Sequence, residues 1–218
     1  MIKKLLSKAM KKKKISLRRK LKIGVMGSAS GPTLTRDGNR EKCKEIGKAL
    51  AISDVIMING ACPGLPHFAA EGCDENGGFV LGVSPAFSEK EHVEEYKSPN
   101  EFYDILIYTG QGFMERDIMN IRASDGVLFL GGGIGTINEF TVAYEEGKPI
   151  GILLDSGGVS NHLLDMVIHA DRDITPNIVT DNDPKKLVKK LIDAIHKYPS
   201  LIHEDGRVTD VKFGNKRG

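Results

Sequence analysis

Three turns in this sequence carry enough glycine to bring main chain close to a ligand, and one of them is followed by an acid. They are Gly27-Ser28-Ala29-Ser30-Gly31, Asn59-Gly60-Ala61-Cys62-Pro63-Gly64 and Gly131-Gly132-Gly133-Ile134-Gly135-Thr136. Glycine permits close backbone approach, and a helix opening after such a turn offers free N–H groups to an anion. One such turn says little; three point to a phosphate-bearing ligand. Glu139 stands three residues past Thr136. A carboxylate one turn into a helix that holds phosphate at its N-terminus faces the sugar of a bound nucleotide. The same residues also satisfy a structural pattern: Thr136-Ile137-Asn138-Glu139 has the T-x-x-E spacing of a capping box, in which Glu139 ties back to the backbone.

A basic partner for Glu139 lies in the segment Phe113-Met114-Glu115-Arg116-Asp117. Arg116 and Arg122 both qualify by type, but six residues set them about 240° apart around a helix and ~9 Å apart along it. Arg116 is the one near the strand end where ligands bind; Arg122 is expected to reach solvent or a neighbouring subunit. No lysine precedes Thr136, so the third turn is not a Walker A loop, and the first turn does not have the G-x-G-x-x-G spacing of dinucleotide sites. The six histidines (67, 92, 162, 169, 196 and 203) show no metal-binding spacing, and neither a metal nor a cofactor is expected.

The elements that must position these groups alternate. Apolar, β-prone runs at 21–26, 54–59, 78–83, 104–108, 126–130, 149–154 and 177–180 are separated by helical patterns at 39–52, 66–76, 113–124, 135–147, 162–171 and 184–197. Most of the strand runs are continuously apolar, which suits parallel strands covered on both faces. The alternation predicts an α/β fold: a doubly wound, Rossmann-like, mostly parallel sheet in three α/β/α layers. Asp183-Pro184 is an N-cap followed by proline at the first helical position. The acidic stretch 85–100 has no clear period and is expected to be a loop or lid.

The chain has 218 residues, 40% hydrophobic and 28% charged, and no apolar run near the roughly 18 residues needed to span a bilayer. Its net charge of +2 hides an asymmetry. Residues 1–22 contain eleven lysines and arginines and no acid, whereas the remainder carries 20 basic and 29 acidic side chains. Residues 1–20 are expected to be a solvated, disordered extension, residues 21–200 a single nucleotide-binding domain, and 201–218 a polar tail or edge element. The arm lacks the apolar core of a secretory signal; contact with anionic lipid or nucleic acid is its other reading. Three cysteines without a CxxC pair argue against a disulfide framework and fit the cytoplasm.

Taken together, the motifs resemble those of the LOG-like ("lonely guy") nucleoside 5′-monophosphate phosphoribohydrolases, once misnamed lysine decarboxylases. Gly131–Glu139, GGGIGTINE, resembles the family's P-G-G-x-G-T-x-x-E signature. Met114-Glu115-Arg116-Asp117 resembles the H-E-R-K part of M-H-E-R-K, with Phe113 at its methionine, and the distances from Arg116 to Asp125 and Gly131 fit the family register. The turns at Gly60 and Gly27 resemble G-G-x-x-G-L-M and G-S-S-x-G. The likeness covers residues 21–167. Gly131 replaces the proline, Asp117 the lysine and Met114 the histidine, which brings the chain nearer to the molybdenum-cofactor-carrier-like relatives.

The resemblance implies hydrolysis of the N-glycosidic bond of a nucleoside 5′-monophosphate to free base and ribose 5-phosphate. Glu139 would act at the ribose, with Arg116 binding sugar or phosphate oxygens and holding Glu139 ionised. The phosphate would rest on Gly132, Gly133, Gly135 and Thr136, and Ser28 and Gly60 would line the base or ribose side. A homodimer is the family's usual state. The alternative is a carrier that holds a nucleotide or pterin cofactor without turnover.

Overall fold

The computed structural model describes residues 20–198. The expectations for the arm and for the tail beyond residue 200 lie outside the described residues. Seven parallel strands form one sheet in the order β4-β3-β2-β1-β5-β6-β7. They are β1 (Lys22–Gly27), β2 (Ile56–Asn59), β3 (Phe79–Ser84), β4 (Ile105–Tyr108), β5 (Gly126–Leu130), β6 (Ile150–Leu153) and β7 (Ile178–Asp181). The helices that return the chain are α1 (Asn39–Ile52), α2 (Leu65–Asp74), α3 (Glu89–Glu94), α4 (Gly112–Ala123), α5 (Ile134–Glu145), α6 (Leu163–His169) and α7 (Pro184–Lys197). The doubly wound, parallel architecture expected from the alternation is the one found.

Side chains on successive strand positions go to opposite faces, and here both faces are covered. Ile23, Val25, Met57, Leu128 and Leu130 pack with Ile46, Leu50, Leu65, Leu187 and Leu191 from α1, α2 and α7. Met26, Val127, Phe129 and Ile152 pack on the other side with Ile121, Phe140, Leu163 and Val167 from α4, α5 and α6. This double burial is why the strands read as unbroken apolar runs. The last helix begins as anticipated: the Asp183 carboxylate accepts from the Lys185 and Lys186 amides ahead of Pro184.

The stretch 85–100 corrects the sequence reading. It contains α3, capped by Ser88, whose hydroxyl accepts from the Glu91 amide at 3.3 Å. His92 on that helix is wholly buried. Its Nε2 donates to the Pro99 carbonyl at 2.9 Å, and its Nδ1 pairs with the Ser84 hydroxyl at 2.8 Å. Ser84 also accepts from the Ala86 amide. The segment is therefore pinned to the end of β3 through one side chain, and it is not a free lid.

The winding reverses between β1 and β5. Up to β4 the chain moves outward from β1 on one side; it then crosses back and lays β5 against β1, pairing Ile23 with Gly126 through to Gly27 with Leu130. In open α/β sheets the crevice at such a switch point, beyond the carboxyl ends of the strands, is where ligands bind. At its floor, a Cβ on Gly27 would overlap the Leu130 carbonyl oxygen, so only glycine lets these two strand ends come together.

Candidate functional site

A cleft of ≈ 360 Å³ opens at this switch point, a volume suited to a small ligand. The turns after β1, β2 and β5 form its floor, and the first turns of α4 and α5 form its walls. All the glycine-rich turns identified in the sequence thus converge on one place.

Ser28 joins them. Its amide donates to the Leu130 carbonyl at 3.2 Å, and its carbonyl accepts from the Leu65 amide at 2.9 Å. Its hydroxyl oxygen accepts from the Gly132 amide and from the Thr33 hydroxyl, both at 2.6 Å. Ser28 lines the cleft, but its oxygen is already engaged in building the floor. The same bond corrects the expectation for Gly132. With its N–H spent on Ser28, Gly132 does not offer an amide to a phosphate.

The third turn is braced from behind as well. The Ser160 hydroxyl donates to the Gly131 carbonyl at 2.6 Å, and the Gly131 amide donates to the Ser156 hydroxyl at 2.9 Å. Sequence reasoning missed both serines. The Asp155-Ser156-Gly157-Gly158 turn after β6 is the signal that announces them.

At α5 the capping-box reading fails. The N-cap is Gly133, no side chain caps the helix, and Thr136 is the third helical residue. The first intrahelical bond is Ile137 N–H to the Gly133 carbonyl at 3.1 Å. The amides of Ile134, Gly135 and Thr136 precede it and have no intrahelical acceptor. Gly133 and Gly135 are exposed, while Thr136 is buried at the cleft wall. Glu139 is then free to face the cleft, where it is 8% exposed.

Arg116, 5% exposed, enters from α4. Its guanidinium lies where a side chain at Gly60 would otherwise be, since a Cβ there would overlap Nη1. Nη1 pairs with Asp117 Oδ1 at 3.3 Å, and Nη2 donates to Cys62 Sγ at 3.4 Å. Nε is buried with no hydrogen-bond partner among the described residues. Arg122 points away and pairs with Glu146 at 2.7 Å on the outer surface. Arg116 is therefore the arginine of the cleft.

The electrostatics differ from the expectation that Arg116 keeps Glu139 ionised. Burial pushes the Glu139 carboxyl up to about 8; the neighbouring Asp117 adds to this, and Arg116 only partly opposes it. Burial also raises Asp117, against the pull of Arg116. The exposed side chains of Phe113, Met114 and Ile134 form an apolar rim. Among the described residues no cluster of three or more His, Cys, Asp or Glu side chains is placed to hold a metal ion.

This arrangement has relatives. A protein of uncharacterised function from Archaeoglobus fulgidus is 32% identical over 108 residues, spanning 50% of this chain and 66% of that protein. The molybdenum cofactor carrier protein from Chlamydomonas reinhardtii superposes with a TM-score of 0.67 at 26% identity, over 82% of this chain and 99% of its own. The molybdenum cofactor binding protein from the phototrophic bacterium Rippkaea orientalis gives 0.62 at 25% identity, over 83% and 98%. The LOG-like resemblance read from Gly131–Glu139 and the Met114–Asp117 segment, on the molybdenum-cofactor-carrier-like side, is thereby borne out. Residues 20–188 match the model of the SLOG cluster4 family, and the chain belongs to that family.

Proposed function

We propose that the cleft binds a nucleoside 5′-monophosphate and hydrolyses its N-glycosidic bond, releasing free base and ribose 5-phosphate. The observation that carries this reading is the meeting of Glu139 and Arg116, both buried, in one cleft beside the uncapped N-terminus of α5. The phosphate rests on the amides of Gly133 and Gly135 and on Thr136, where the helix end favours an anion. Arg116 reaches sugar or phosphate oxygens through its forked donors. Gly60 makes room for that guanidinium, Ser28 and Gly132 hold the floor, and the apolar rim meets the base. Bond cleavage builds positive charge on the ribose, and a carboxyl at that position acts by stabilising it or by moving a proton.

The test is direct. Purified protein is incubated with AMP, GMP, CMP and IMP, and ribose 5-phosphate is assayed. Release that is lost in Glu139→Gln supports hydrolysis. Nucleotide binding without release supports the second reading, a carrier of a phosphate-bearing cofactor. That reading is favoured by the likeness to two proteins named for binding or carrying the molybdenum cofactor. A pterin phosphate that inhibits ribose 5-phosphate release would show that both ligands use the same cleft.

Exposed Phe113, Met114 and Met119 on α4 support a homodimer through that helix. Three free thiols support the cytoplasm as the working compartment; no helix among the described residues is long and apolar enough to cross a membrane. Residues 21–200 act as one domain. Residues 1–20 contact nucleic acid or anionic lipid electrostatically, so deleting them abolishes salt-dependent RNA or vesicle binding and leaves the cleft's activity intact.

A further inference from the structure

The cleft holds an acid for which the family pattern provides no place. Asp117 stands where the resembled motif has lysine, 6% exposed, on the same cleft wall as Arg116. We propose that Asp117 is the charge partner of Arg116, and that by neutralising the guanidinium it makes Glu139 the group that carries and delivers a proton in this cleft. The inference rests on the hydrolytic reading above for its chemistry, but not for its test.

Adjacent residues on a helix project about 100° apart, so an arginine and the aspartate after it do not meet by default. Here Nη1 lies 3.3 Å from Asp117 Oδ1, with the guanidinium seated against Gly60 and Nη2 donating to Cys62 Sγ in the same turn. The two side chains are only 6% and 9% exposed, and opposite charges so buried compensate each other more fully than in water. The titratable or charged groups lining the cleft are Cys62 from the turn after β2, Arg116 and Asp117 from α4, and Glu139 from α5. Cys62 is held as a thiol by burial. Arg116 is the lone cation of the four, and Asp117 answers it. Glu139 is left without a counter-charge of its own, and burial favours its neutral form.

Of two buried carboxyls in one site, one paired with a cation and one not, the unpaired one holds the transferable proton. In the hydrolytic step the C1′–N bond breaks and its electron pair leaves with the base. Glu139 gives its proton to that nitrogen. Water bonds to C1′, and one of its protons returns to Glu139. The sum consumes one water and leaves the protein unchanged. Asp117 touches none of the reacting atoms in this scheme; it is a positioning residue.

The test uses the full chain labelled at glutamate Cδ, with the Glu139 resonance assigned by its loss in Glu139→Gln. Carbon NMR follows that carboxyl through pH. In the parent protein it titrates well above the other glutamates. Asp117→Asn, nearly the same shape, frees the guanidinium and lowers the Glu139 midpoint by one pH unit or more, at least tenfold in proton affinity. Asp117→Glu restores it, and Arg116→Gln moves it the opposite way. A Glu139 midpoint unmoved by Asp117→Asn in a folded variant overturns the proposal, as does a parent carboxyl that titrates with the rest. If ribose 5-phosphate is never released, the hydrolytic reading falls while the titration still decides the pairing. If it is released, Asp117→Asn shifts the high-pH limb of the rate profile to lower pH.

Discussion

The Ser28 hydroxyl oxygen accepts the Gly132 amide at 2.6 Å, tying the turn after β1 to the turn after β5 across 104 residues of sequence. The cleft floor is held by this bond together with its glycines, and the same oxygen also receives the Thr33 hydroxyl. Replacing Ser28 by alanine leaves a buried amide without an acceptor, which costs about 1–3 kcal/mol. Ser28→Ala is therefore expected to lower the urea midpoint and to weaken AMP binding at least tenfold. Unchanged affinity in the folded variant would mean that the third turn keeps its shape without Ser28.

Gly60 serves the site in another way. Its alanine variant puts a methyl group where the Arg116 guanidinium lies. The obstacle is the far end of a flexible side chain, so the fold yields by moving it. Gly60→Ala is expected to melt within a few degrees of the parent and to lose nucleotide binding or turnover by tenfold or more. Calorimetry beside a ribose 5-phosphate assay checks both halves, and a variant with parental affinity would remove Arg116 from ligand binding.

His92 anchors the acidic stretch 85–100 to the end of β3. With His92→Ala, two hydrogen bonds and the filling of a wholly buried site are lost together. The expected cost is about 2–4 kcal/mol. Amide exchange across 85–100 is slow in the parent and becomes fast in the variant. Fast exchange in the parent would restore the lid.

What the sequence revealed and what it hid divide along physical lines. β5 was legible at both ends, Gly126 to Leu130, because a strand buried on both faces is apolar at every position. Asp183 with Pro184 was legible because a helix start is written in adjacent residues. The six-residue α3 has no apolar stripe, and the buried status of His92 comes from Ser84 on another element, so no local pattern marks either. At the site, GGGIGTINE gave the glutamate and the uncapped helix end. The engagement of the Gly132 amide by Ser28 and the folding of Arg116 onto Asp117 are products of tertiary packing, invisible to spacing alone.

At Glu139 chemistry and stability separate. Glutamine at this position keeps the shape and removes the mobile proton, so turnover is expected to fall about 100-fold or more, the scale of a positioned acid–base group. Stability should move in the other direction at high pH. The carboxyl sits near 8 in the folded protein, above its ordinary value of 4.5 in the unfolded chain. Between those values the folded state binds the extra proton, so its contribution is fully present below pH 4.5 and is lost as pH rises through 8. Glutamine stays neutral throughout. Unfolding free energies of parent and Glu139→Gln should therefore agree near pH 4 and diverge above it, the parent falling behind by roughly 2–4 kcal/mol at pH 9. Parallel curves would show that Glu139 is ionised in the folded protein at neutral pH, and with it that Arg116 serves as its counter-ion after all.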